Sequence, residues 1–85
     1  MKIKIKNSVG GEKEIECEPS MTLRTLLDKY KDFVKKDGKI IRKITFIFGG
    51  DAFIEEDMDE TLEKLGIEDG NQIVSNVLYN GGNFI

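Results

Sequence analysis

Few residues in this chain have the type and spacing to do chemistry. Cys17 is its single thiol, and it has no His. A cysteine nucleophile needs a neighbouring base or cation to hold it as thiolate. The flanking Ile15-Glu16 and Glu18 provide neither, so Cys17 reads as a small buried hydrophobe. Asp57-x-Asp59-x-Thr61, with Glu68 beyond, spaces oxygens as a calcium loop does. Such a loop turns sharply on Gly at its sixth position, where this chain has Leu62, so the stretch reads as a solvated acidic loop. Gly49-Gly50 lacks the Lys-Ser/Thr of a phosphate-cradling loop and reads as a turn. Lys35, Lys36, Lys39, Arg42 and Lys43 concentrate positive charge with few aromatic residues between them. That pattern argues against a nucleic-acid surface, and an acidic protein partner is the other reading.

What is missing narrows the function further. Without His there is no Ser–His–Asp or Cys–His machinery and no His-ligated zinc. One Cys makes neither an internal disulfide nor a multi-thiolate metal site. The expectation is a protein that is not an enzyme and holds no cofactor or metal. At 85 residues, 39% hydrophobic and 34% charged, the chain has material for one small core. No apolar run approaches the roughly 20 residues of a membrane span. Met1 opens a charged alternation, so no signal peptide is expected, and a reducing compartment, cytoplasmic or nuclear, suits the chain. Net charge is −3, unevenly spread: 12 basic against 7 acidic residues up to Lys43, then only Lys64 against 9 acids. No membrane or nucleic-acid partner is expected, and the domain is expected to be a monomer.

The elements follow from periodicity. Met1-Lys2-Ile3-Lys4-Ile5-Lys6 alternates as a half-buried strand does. Asn7 to Gly11 reads as a hairpin turn. Glu12 to Glu18 alternates again, with its glutamates facing the lysines of the first strand. Thr22 is an N-cap candidate. Leu23, Leu26, Leu27, Tyr30, Phe33 and Val34 then recur at helical spacing. This predicts one amphipathic helix of about four turns, with Lys35 and Lys36 at its negative end and Gly38 as its stop. Ile44 to Phe48 reads as a third strand, Ala52-Phe53-Ile54 as a short apolar step, Thr61 to Ile67 as a helical turn and Gln72 to Tyr79 as a last strand. One helix covers one face of one sheet, so the class is a two-layer α+β roll. The last strand admits two registers. One turns Ile73, Ser75, Val77 and Tyr79 inward, and the other turns Val74, Asn76 and Leu78 inward; the first is preferred.

With these elements in order, the chain resembles the ubiquitin-like proteins as far as Gly82. The residues that carry the resemblance are Met1-x-Ile3-x-x-Lys6, Gly10 in the first turn and Glu18-Pro19-Ser20-x-Thr22 before the helix. Further along come Ile47-Phe48-x-Gly50, Thr61-Leu62, Ile67 and Gly81-Gly82. The stretch from Leu65-Gly66-Ile67 to Ile73 is similar to small ubiquitin-related modifiers. The resemblance implies a β-grasp roll, a mixed sheet packed on the one helix. It also implies a ubiquitin-like domain over 1–80, followed by a diglycine and short extension over 81–85.

It further implies a modifier joined to target lysines through Gly82, with Gly81 beside it, after a protease removes Asn83-Phe84-Ile85. Activating and conjugating enzymes, a processing protease and target proteins would be its partners. The alternative is a ubiquitin-like interaction module that is never conjugated; a sulfur carrier of the same fold is a third class. The recognition patch of ubiquitin maps onto Ser8, Ile47 and Asn76, of which only Ile47 keeps its aliphatic character, with Leu78 further along the last strand. Ordinary ubiquitin receptors should therefore bind poorly. Lys6 and Lys29 are retained as possible acceptor lysines. Ile47, between Phe46 and Phe48, faces outward if those two face the core.

Overall fold

The computed structural model describes residues 1–80 apart from Val9. The expected diglycine, Gly81 and Gly82, and the extension after it lie outside the described residues. Strand β1 (Lys2–Asn7) and strand β2 (Glu12–Glu16) form an antiparallel hairpin, followed by helix α1 (Leu23–Val34). Strand β3 (Ile40–Phe48), the two-residue strand β4 (Asp51–Ala52), a 3-10 turn at Glu55–Asp57 and strand β5 (Gln72–Asn80) complete the order. The sheet runs β2-β1-β5-β3-β4. Its central β1–β5 pair is parallel and its other pairs are antiparallel, which is the mixed α+β β-grasp arrangement.

Each element has a local cause. The alternation of β1 puts Ile3 and Ile5 wholly inside and Lys2, Lys4 and Lys6 outside. Lys4 stands opposite Glu14 and Lys6 opposite Glu12, so like charges never face each other across the hairpin. The Thr22 hydroxyl accepts from the Thr25 N–H at 3.2 Å and caps α1. Leu23, Leu26 and Tyr30 then form the buried stripe of the helix, against Ile3, Ile5, Phe46 and Ile73 of the sheet. Tyr30 and Phe46 meet with ring centroids 5.7 Å apart. Leu62 and Ile67 close the end of this core. The backbone joins there too, because the Leu62 N–H donates to the Met21 carbonyl at 2.8 Å.

Several expectations change. The helix ends at Val34 because Lys35 turns extended, so Lys35 and Lys36 lie beyond it and Lys31 is the cation of its last turn. Gly38, at φ +76°, serves the following turn and is not the helix stop. Phe33 does not complete the buried stripe: it is 49% exposed, with only the Lys13 ammonium over its ring at 4.9 Å. Strand β3 starts at Ile40, ahead of the expected start at Ile44, because β5 is long enough to pair with it up to Asn80. A register shift between Ile41 and Lys43 absorbs one residue there. Residues 61–67 keep the expected single helical turn, in which the Leu65 N–H donates to the Thr61 carbonyl at 3.1 Å, and no longer helix forms there.

The last strand takes the preferred register. Ile73 and Ser75 are fully buried, while Asn76 and Leu78 are exposed. Ser75, the one polar side chain buried in the core among the described residues, has its hydroxyl 2.6 Å from that of Tyr30.

Candidate functional site

Helix α1 covers one face of the sheet, and the candidate site is the other face. Strand pairing aligns one row of outward side chains across all five strands. Glu12 lies opposite Lys6, Lys6 beside Val74, Val74 opposite Ile47, and Ile47 opposite Ala52. Ile47 and Val74 are half-buried by their neighbours on this face, and Ala52 is exposed. Along β5 the outward positions continue through Asn76 to Leu78, which is 56% exposed and opposite Lys43. The face is therefore a short aliphatic column, Ala52–Ile47–Val74 with Leu78 beyond it, edged by Lys4, Lys6 and Lys43.

The structure joins two of the expected site residues directly. The Ser8 hydroxyl donates to Asn76 Oδ1 at 2.5 Å, and the Ser8 N–H donates to the Ser75 carbonyl at 2.9 Å. These bonds hold the first turn against β5. They also turn the Ser8 hydroxyl and the Asn76 amide oxygen toward each other. Ile47 and Leu78 lie on the same face as this pair. Lys6 shares the face too, whereas Lys29 lies on the helix with its ammonium 3.4 Å from the Glu16 carbonyl, so the two lysines are not brought together. Gly81 and Gly82 lie outside the described residues.

Val74 is central to the row and Ala52 ends it on the edge strand β4, and the sequence carries a signal for Ala52. A two-residue Gly49-Gly50 loop places Phe48 opposite Asp51, which puts Ile47 opposite Ala52. Lys43 carries one too, since it lies four residues before Ile47 in unbroken alternation and so shares its face.

The other chemistry-bearing residues have structural tasks. Cys17 is buried, with Sγ 3.5 Å from the Ile15 carbonyl. Burial pushes its thiol up, and the Lys29 and N-terminal ammonium groups oppose that more weakly. It is held as an inert thiol. Asp57 accepts the Ile54 N–H at 2.9 Å. Glu55 and Asp59 both hold Arg24, at 2.9 and 3.1 Å, and so tie the acidic loop to α1. Among the described residues no group of three or more His, Cys, Asp or Glu is arranged to hold a metal ion. No helix among them is long and apolar enough to cross a membrane.

Comparison with known proteins agrees with this architecture. No curated protein matches the chain. In shape, 239 solved chains match, so the fold is widely used and does not by itself select a function. One of them is the crystal structure of the UBL domain of Plasmodium falciparum Dsk2, at 21% identity and a TM-score of 0.71. That match covers 92% of this chain and 97% of the solved one. At that identity the likeness shows the β-grasp fold alone. The family described as "Ubiquitin-2 like Rad60 SUMO-like" (Rad60-SLD) matches residues 1–74, from the first strand to the middle of the last. With that match over most of its length, the chain belongs to this SUMO-like family of ubiquitin-like domains.

Proposed function

We propose that this chain is a ubiquitin-like protein-interaction module that reads its partners through the outer sheet face around Ile47. The carrying observation is the aliphatic column Ala52–Ile47–Val74, with Leu78 beyond it, on the sheet face opposite the helix. Contiguous apolar surface in a small domain with ample charged residues favours a binding role. Lys4, Lys6 and Lys43 at its border would steer an acidic partner and fix its orientation. Ser8 and Asn76 satisfy each other, so the face selects against receptors that need apolar contacts at both ends of the column. The family match also supports this reading, because it describes a ubiquitin-like, SUMO-like domain over residues 1–74.

The test compares wild type with Ile47→Ala and Leu78→Asp for retention of partners from a proteome-wide binding screen, alongside thermal melting. Partners kept by wild type and lost by both variants, at nearly unchanged melting temperature, support the reading. Identical partner sets for all three chains refute it.

A second reading rests on one sequence observation: Gly81-Gly82 directly follows the residue at which β5 ends. Here the chain would be a modifier conjugated through Gly82 after removal of Asn83-Phe84-Ile85. It would depend on activating and conjugating enzymes and a processing protease, with Lys6 and Lys29 as exposed acceptor lysines. Mass spectrometry after incubation in cell lysate separates the two. A species ending at Gly82 together with higher-mass adducts supports the modifier, and an intact chain without adducts leaves the module. A thiocarboxylate on Gly82 would mark a sulfur carrier.

A further inference from the structure

Charge is segregated along helix α1. In its first turn Arg24 holds Glu55 and Asp59, at 2.9 and 3.1 Å. That contact sets the acidic stretch Glu55, Glu56, Asp57, Asp59 and Glu60 beside the start of the helix. Among the described residues its ion-pair partners are Arg24 and Lys64, the latter 3.9 Å from Glu60. Glu56 is exposed and has no cation within that distance. Past the last turn of α1, a groove of about 510 Å³ is lined by Lys31, Lys35, Lys36 and Lys39 against a single acid, Asp37. Lys31 and Lys35 have helix partners in Asp28 and Asp32. Lys36 and Lys39 sit over the Tyr79 ring, and neither has a carboxylate within ion-pair distance among the described residues. The 12 residues of α1 separate the two ends by about 18 Å. Screening at physiological ionic strength acts over about 8 Å, so the ends do not neutralise each other within one molecule.

Each end also carries an uncovered apolar side chain. Ile40 lines the basic groove and is 69% exposed, and Ile54, next to Glu55 and Glu56, is 58% exposed. These are the two most exposed large hydrophobic residues among those described. The acidic end is preformed. Asp57 accepts the Ile54 N–H at 2.9 Å, and the Met58 N–H donates to the Glu55 carbonyl at 3.1 Å. With Glu55 and Asp59 held by Arg24, the loop keeps its shape and leaves Ile54 and Glu56 for an outside partner. A loop already ordered loses little conformational freedom on docking.

We propose that a second copy of this chain docks on the basic groove through its folded Ile54–Glu60 loop. Ile54 of one copy meets Ile40 of the next, and Glu56 and Glu60 meet Lys36 and Lys39 around them. An apolar centre with a charged rim is the ordinary anatomy of a protein interface. Charge decides the occupant and the geometry. Two basic ends or two acidic ends repel, which excludes a two-fold dimer through either surface, whereas a basic end and an acidic end attract. Each copy therefore uses two different surfaces, and such a contact continues head to tail. The net charge of −3 on every copy and the screening of exposed pairs keep it weak, so the chain is monomeric when dilute. Neither end includes Ile47, Val74 or Leu78, and this proposal and the outer-face reading fail independently.

The test is sedimentation velocity of the full chain over a concentration series, at about 0.02 M and about 0.5 M salt. At low salt the average mass should climb past that of a dimer, and at high salt it should return to the monomer. Lys36→Gln/Lys39→Gln and Glu56→Gln/Glu60→Gln should each weaken association by about tenfold or more at unchanged melting temperature. An equimolar mixture of these two variants keeps one intact contact, so it should form a 1:1 pair that grows no further. Ile47→Ala should associate like wild type. Zero-length cross-links between isotopically heavy and light chains should join Lys36 or Lys39 to Glu56 or Glu60. Four results would overturn the proposal: a monomer at every concentration in low salt, growth that stops at a dimer of the wild-type chain, a variant mixture that stays monomeric, or a polyglutamate peptide occupying Lys36 and Lys39 more tightly than the second copy does.

Discussion

The hydroxyls of Tyr30 and Ser75 lie 2.6 Å apart in the middle of the core, joining the helix to the last strand. Tyr30 is 2% exposed and Ser75 not at all. A buried serine among aliphatic residues is tolerable here because its one strong partner reaches it from the opposite layer. Removing either hydroxyl leaves the other buried without that partner. Tyr30→Phe and Ser75→Ala should each lower stability by about 1–2 kcal/mol. The double variant should lose clearly less than the sum, since the second change removes an already orphaned group. Urea unfolding of the four chains measures the coupling, and strict additivity would mean that the bond contributes nothing.

Neighbouring residues of β3 should respond oppositely to truncation. Phe46 is 2% exposed and packs on Tyr30, so Phe46→Ala should cost about 3–5 kcal/mol. Ile47 lies on the opposite face, half-buried by the row it belongs to, and Ile47→Ala should cost only about 1 kcal/mol. Denaturant midpoints check this. Equal losses would show the outer face to be packed as a second core and unsuited to a transient partner.

The β3–β4 hairpin depends on its loop. Gly49 and Gly50 have φ of +62° and +90°, as a two-residue hairpin turn with both central residues left-handed requires. A Cβ at either position meets nothing within 4 Å, so strain and not collision sets the cost. Gly50→Ala should lose about 1 kcal/mol, and Gly49→Asn should be tolerated because Asn accepts this backbone region. Because the hairpin places Ala52 opposite Ile47, Gly50→Ala should also loosen the outer row, visible as faster amide exchange in β4.

Cys17 gives a pH signature. Its thiol is held above the ordinary value near 9, chiefly by burial. The unfolded chain ionises at the ordinary value, so the native state keeps the proton to higher pH. This contribution is fully present below the ordinary thiol pKa and is lost as pH rises through the raised native one. Between about pH 8 and about pH 10, wild type should lose more stability than Cys17→Ala. Parallel slopes from pH-dependent urea titrations would show that the thiol is not shielded. Alkylation of native Cys17 at neutral pH should likewise be much slower than in the unfolded chain.

The elements written in local periodicity were legible. The alternation of Met1 to Lys6 and the helical spacing from Leu23 to Val34 each repeat a short-range pattern that only one conformation buries well. Where a neighbour in space decides, the pattern is silent. Ile40 and Ile41 lie ahead of the strand expected from Ile44, yet they pair with Asn80 and Tyr79 because β5 extends beside them. Phe33 carries the helical spacing but lies to the side of the buried stripe, beside Lys13 of β2, and Leu62 and Glu63 spend their N–H groups on the distant Met21 and Pro19 carbonyls. The candidate face divides in the same way. The outward placement of Ile47 follows from Phe46 and Phe48 on either side, while the Ser8–Asn76 bond needs residues that are 68 positions apart.

By itself the sequence determined the class of the molecule: one α+β roll, one helix, a thiol without an activating partner, and alternation that sends lysines out and isoleucines in. These follow from the side-chain period and from residue types that are absent. Tertiary structure decided the register of the last strand and the length of β3. Each depends on which strand lies beside which, and backbone hydrogen bonds between distant segments leave little trace in the residues that make them. Ser75 shows the boundary. The sequence made it a misfit on an inward face, and only packing brought Tyr30 across to satisfy it.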